Sequence, residues 1–115
     1  MNKYPNLRLS EFELLVMLAL AHLGDEAYGV TIRREIARRS GRGVAIGAVY
    51  TALNRLEGRS LVRFTYSDPR PIPGGRARKY AHLTPAGRQA LRHAAGALQR
   101  MMEGLPGELL PGDSR

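Results

Sequence analysis

The chain contains no cysteine and no tryptophan among its 115 residues. Without cysteine there is no disulfide framework, no thiol nucleophile and no thiolate metal site, which removes several enzyme classes together. Long apolar runs are also missing. The longest, Leu14 to Leu23, falls short of the ~18 residues that read as a membrane span and ends at Gly24-Asp25-Glu26. Met1-Asn2-Lys3-Tyr4-Pro5 lacks a charged region followed by an apolar one and a small-residue cleavage site, so no signal peptide is expected and the location is expected to be the cytoplasm. Acidic residues are scarce: 10 Asp and Glu face 18 Lys and Arg, for a formal charge of +8. Such an excess attracts polyanions without choosing among nucleic acid, anionic lipid and acidic protein. The length suits one domain with a modest core.

Ser10-Glu11-Phe12-Glu13 has the pattern of a capping box, which predicts a helix over about residues 10 to 23. Phe12, Leu15, Val16, Leu18, Ala19 and Leu23 cover more than one stripe, so this helix should be buried on two sides, and Gly24 should end it. A second helix is predicted at about 29 to 40, with Val30, Ile32, Ile36 and Ala37 inward and Arg33, Arg34, Arg38 and Arg39 on its remaining surface. This charge run is consistent with a solvated face or with phosphate contacts from Arg33 and Arg34. Gly41-Arg42-Gly43 breaks the helix so briefly that the next must turn sharply against it.

The third helix is predicted at about 45 to 59. Ile46, Val49, Leu53 and Leu56 recur at helical spacing as the core face, while Gly47, Thr51, Asn54, Arg55 and Gly58 make a small, polar and basic face. A face of that kind suits close approach to a DNA groove, although an ordinary amphipathic helix accounts for the spacing equally well. After it the period changes: Val62, Phe64 and Tyr66 alternate with Arg63, Thr65 and Ser67, as in a half-buried strand. A loop rich in Pro and Gly follows, then a second strand at 78 to 83, giving a hairpin with Arg70, Arg76, Arg78 and Lys79 at or near its tip. Thr84-Pro85 starts a fourth helix running to about 103. Leu91, Leu98 and Leu105 are spaced by heptads, with Ala94, Ala95, Met101 and Met102 between them. One edge of this seam is expected to pack inward and the seam itself to meet a second subunit. The Gly- and Pro-rich tail, 105 to 115, is expected to be disordered.

With Tyr28-Gly29, the run Gly47 to Glu57, Leu61-Val62, Gly75 to Tyr80 and Leu83 to Gly87 in view, the chain resembles the PadR family of transcriptional regulators over about residues 8 to 100. The resemblance implies an α+β fold, mainly α with a small β-hairpin: a winged helix-turn-helix DNA-binding domain at 8–84 and a C-terminal dimerisation helix at 85–104. It places the recognition helix on 45–58 and the wing on 62–83. It further implies a homodimer on a palindromic, inverted-repeat operator in double-stranded DNA, as a repressor that a small-molecule effector or stress signal relieves. Members of the family commonly touch backbone phosphate from the position of Tyr50, whose ring could equally belong to the core. Two departures are specific to this chain. The third helix begins at Ala45, where the family commonly has Ser, and the short Ala-rich C-terminal region is poorly suited to a large aromatic-lined effector pocket.

On this reading Thr51, Asn54 and Arg55 lie near base edges, and Ala48 can meet a thymine methyl. Arg76, Arg78 and Lys79 straddle the backbone or enter a minor groove. Leu91, Ala94, Ala95, Leu98, Met101 and Met102 form the dimer seam. No catalysis, cofactor, metal site or membrane partner is expected: His22, His82 and His93 fall on three elements without a partner cluster. The alternative is a winged-helix module that binds protein instead of a specific DNA sequence.

Overall fold

The computed structural model describes residues 8–67 and 78–112. In chain order it contains helix α1 (Glu11–Leu23), a 3-10 turn (Gly24–Glu26), helices α2 (Gly29–Ser40) and α3 (Ile46–Gly58), strands β1 (Val62–Tyr66) and β2 (Lys79–Leu83), helix α4 (Pro85–Met102) and a last 3-10 turn (Gly107–Leu109). The fold is therefore four α-helices with a two-stranded antiparallel hairpin, the α+β class expected.

Local chemistry explains where the helices start. Ser10 Oγ accepts from the Glu13 N–H at 3.0 Å and the Glu13 carboxylate accepts from the Ser10 N–H at 2.8 Å, completing the capping box. At α2 the Thr31 hydroxyl accepts from the Tyr28 N–H at 2.9 Å and donates to the Glu26 carbonyl at 2.6 Å, fastening the turn to the helix. Thr84 caps α4 by accepting from the Gly87 N–H at 3.0 Å, with Pro85 in the first turn. Only α3 begins without help: Ala45 occupies the cap position with no side-chain hydrogen bond.

The core is formed by Val16, Met17 and Leu20 of α1, Ile32 and Ile36 of α2, Val49, Leu53 and Leu56 of α3, and Leu61, Val62, Ala81 and Ala90 beyond them. Phe12, Leu14, Leu15, Leu18 and Leu23 are partly buried around it, so α1 is covered on more than one side, as its composition predicts. Three expectations need correction. Ala37 is exposed and Val30 half-buried, because α2 turns Gly29 and Glu35 inward instead. Ile46 is exposed at the start of α3, one turn before the buried Val49, Leu53 and Leu56. Tyr66 is 66% exposed at the far end of β1, beyond the reach of the core.

The hairpin register pairs Val62 with Leu83, Phe64 with Ala81 and Tyr66 with Lys79. Its base is tied to the helices at two points. Tyr28 forms a β-bridge with Tyr80 and the Ala81 N–H donates to the Ala27 carbonyl at 2.8 Å, so the segment before α2 acts as a short third strand. On the other side the Thr84 hydroxyl donates to the Ser60 carbonyl at 2.7 Å. Helix α4 buries only Gly87, Ala90 and Leu91. Its second half leaves the core, with Leu98 51% and Met101 78% exposed. The tail is followed to Gly112 and contains the 3-10 turn at Gly107–Leu109, so it is not featureless up to that point; residues 113–115 lie outside the described residues.

Candidate nucleic-acid interface

Helix α3 presents Gly47, Ala48, Thr51, Asn54, Arg55 and Gly58 as an exposed face opposite its buried one. An added Cβ at Gly47 or Gly58 would meet nothing within 4 Å among the described residues, so none of them covers these positions. The Thr51 hydroxyl donates to the Gly47 carbonyl at 3.0 Å. Its proton is therefore committed within the helix and its lone pairs remain to accept from an external donor.

Tyr50 is half-buried. A Cβ added at Gly29 would fall 2.6 Å from its hydroxyl oxygen, so the ring lies on the bare backbone where α2 begins. The ring thus packs against the protein, and its hydroxyl ends at the first turn of α2. The sequence displays Tyr28-Gly29 and Tyr50 but no local signal that the glycine and the ring belong together.

The basic residues divide by partner. Glu35 accepts from both Arg38 and Arg39, and these hydrogen bonds, Arg39 first, hold its carboxyl below the ordinary carboxylate value. Glu11 pairs with Arg42 at 2.9 Å, which lowers the carboxyl of the one and raises the guanidinium of the other. Arg59 lies 3.8 Å from Glu13. Among the described residues, Arg33, Arg34 and Arg55 are exposed and make no ion pair. Three of the cations predicted from sequence thus make no ion pair, while Arg42 and Arg59 each face a carboxylate and Arg38 and Arg39 share the one charge of Glu35.

On the hairpin, Arg78 and Lys79 are drawn back over aromatic rings. The Arg78 guanidinium carbon lies 4.3 Å from the centre of the Tyr28 ring, and Lys79 Nζ 3.9 Å from that of Phe64. Tyr28 and Tyr80 meet edge to face at 5.6 Å. A hydrogen bond with Tyr80 raises the Arg78 guanidinium further. Arg78 and Lys79 stand at the loop end of the paired strands, and Arg70 and Arg76 lie outside the described residues.

The expected seam of α4 divides likewise. Leu91 is buried in the protomer's own core, on the inward edge; Ala94 is half-buried; Ala95, Leu98, Met101 and Met102 are exposed. Leu14, Ala90, Ala94, Ala97, Leu98 and Met101 line an open, mostly apolar groove of about 490 Å³ between α1 and α4. Among the described residues there is no cluster of acids and histidines able to hold a metal and no helix long and apolar enough to cross a membrane.

Residues 17–93 match the model of the transcriptional regulator PadR-like family. The chain belongs to the PadR-like family. It is 38% identical over 96 residues to the transcriptional regulator Rv3488 of Mycobacterium tuberculosis, covering 83% of this chain and 81% of that protein. An uncharacterized 37.1 kDa protein in transposon TN4556 of Streptomyces fradiae is 35% identical over 96 residues, but the chain spans only 25% of its length. Among solved structures, a PadR family transcription regulator from Clostridium difficile R20291 superposes with a TM-score of 0.66 at 27% identity, over 80% of this chain and 91% of that one. F93 from STIV, a winged-helix DNA-binding protein, matches in fold with a TM-score of 0.68 at 16% identity, over 87% of this chain and all of its own. This PadR-like protein thus has a winged-helix fold and belongs to a family of transcriptional regulators.

Proposed function

We propose that this PadR-like protein is a repressor that binds an inverted-repeat operator as a homodimer in the cytoplasm. The observation that carries the reading is that Arg33 and Arg34 of α2 and Arg55 on the small, polar face of α3 are exposed and make no ion pair among the described residues. That helix enters the major groove with Asn54 and Arg55 at base edges and Ala48 against a thymine methyl. Thr51, its proton already donated to Gly47, accepts from an amino group of adenine or cytosine. The Tyr50 hydroxyl, Arg33 and Arg34 contact phosphate, and Arg76, Arg78 and Lys79 place the hairpin on the flanking backbone. Ala94, Ala95, Leu98, Met101 and Met102 meet the same surface of a second copy. The two α3 helices then reach successive major grooves about 34–36 Å apart, which calls for an inverted repeat. Bound there, the dimer excludes polymerase, and a small-molecule effector would act by changing the separation of the two helices.

Titrating labelled duplex at several salt concentrations tests the reading. Affinity should fall steeply and log-linearly with ionic strength. Arg55→Ala should relax preference at one base pair by about 1–3 kcal/mol. If that variant gives the wild-type sequence preference in footprinting, the role assigned to α3 is wrong. Salt-insensitive, sequence-blind duplex binding would favour a protein-binding module.

A further inference from the structure

The first turn of α3 consists of Ala45, Ile46, Gly47 and Ala48, all exposed and none bearing a charge or a hydrogen-bonding side chain. Ile46 is the one branched apolar side chain among them. It is 37% exposed and is not among the hydrophobic residues packed on the core. It lies on the same side of the helix as Tyr50, one turn later, and the backbone around it is open: a Cβ at Gly43 or Gly47 would meet nothing within 4 Å. More than a third of this apolar side chain thus stays in water, where it gains nothing until another apolar surface covers it. On a DNA base edge the apolar group that would match it is the thymine 5-methyl, which projects into the major groove.

We infer that Ile46 is a specificity-determining residue that reads one thymine by contact with its 5-methyl group. The inference rests on α3 being the recognition helix and names what its leading turn would recognise. It adds a larger apolar contact to the one assigned to Ala48 in the same turn, and so a means of discrimination without a hydrogen bond that Thr51, Asn54 and Arg55 do not supply.

Duplexes that the wild-type protein selects from a random pool should be remade with each thymine in turn replaced by deoxyuridine, which removes only the methyl. Wild type, Ile46→Val and Ile46→Ala are then titrated against each. At one thymine the exchange should weaken wild-type binding about three- to five-fold, the size expected for one buried methyl. It should weaken Ile46→Val to a similar degree and leave Ile46→Ala unchanged. Because Ile46 keeps over a third of its surface in water and is not packed on the core, Ile46→Val should melt close to the wild type, and a folded Ile46→Ala remains testable even if it melts somewhat lower. The inference is overturned if no thymine shows this coupling, or if Ile46→Ala changes the sedimentation of the free protein, which would assign the side chain to a protein contact. Selection of no preferred sequence at all would overturn the recognition-helix reading as well, and the two failures are therefore distinguishable.

Discussion

Two helical glycines should respond oppositely to the same added methyl group. At Gly87 a Cβ would lie 2.0 Å from the Leu61 carbonyl oxygen, a backbone atom that also accepts from the Thr84 N–H. Gly87→Ala must push α4 off the end of α3, and the protein should lose about 1–3 kcal/mol or more in urea denaturation. At Gly58 the same Cβ would meet nothing within 4 Å, and its backbone is not in the positive-φ region. Gly58→Ala should add about 0.5–1 kcal/mol by removing freedom from the unfolded chain. His82 supplies a prediction in pH. Its ring bonds Thr65 at 2.7 Å and faces Arg63 across the strand pair, Asp25 at 3.9 Å and Arg88 nearby. Burial first, then Arg63, lowers its pKa below 6.5, with Asp25 opposing. The folded state therefore binds fewer protons than the unfolded state just below that value. Stability is fully present above pH 6.5 and declines as pH falls toward the folded pKa. His82→Gln keeps a partner for Thr65 and should remove that part of the decline, read as melting temperature against pH; an unchanged profile would show that His82 does not titrate differently on folding.

At the scale of elements, the start of α3 can be tested by restoring what it lacks. Ala45 already has the extended backbone of a cap residue, φ −76° and ψ 143°. A serine there could turn its hydroxyl toward the Gly47 N–H, or toward the Ala48 N–H, which now donates to the Ala45 carbonyl at 3.1 Å. Ala45→Ser should therefore stabilise the protein by about 0.5–2 kcal/mol. A thermal melt with no gain would mean that the N–H groups of the first turn are already satisfied, that of Ala48 by the Ala45 carbonyl and the others by water. This missing cap was legible in the sequence, as were the capping box of α1, the Thr84-Pro85 start of α4 and the change of period between α3 and β1. Each is a local signal whose cause and consequence lie within about one helical turn. What was not legible depends on where the core ends. Ile46 continues the spacing of Val49, Leu53 and Leu56, yet it lies one turn beyond the residues that could cover it. Glu35 sits among arginines and reads as part of a solvated face, yet its two ion pairs let α2 turn it inward. The bridge from Tyr28 to Tyr80 spans too few residues to show a period, so the cation stacked on Tyr28 could only be placed once the chain was folded.

For the whole molecule, the second half of α4 poses the largest energetic question. Leu98 and Met101 project into water from a helix whose first half is anchored in the core, and they border an apolar groove of about 490 Å³. If a second copy fills that groove, the two DNA-reading surfaces are joined and the second half-site is met at an effective concentration in the mM range. Replacing both Leu98 and Met101 with lysine should then give a protein that sediments as a monomer. It should keep its melting temperature nearly unchanged at concentrations where the wild type is already dissociated, because neither side chain contributes to the protomer's core. Its affinity for a two-half-site operator should fall about 10²–10⁴-fold. The slope of log affinity against log salt should also drop to about half, since one protomer neutralises half the phosphates. These two readouts separate the explanations. A monomeric variant whose salt slope is unchanged would mean that dimerisation is not what reads the operator, and a variant that still sediments as a dimer would move the interface away from α4 altogether.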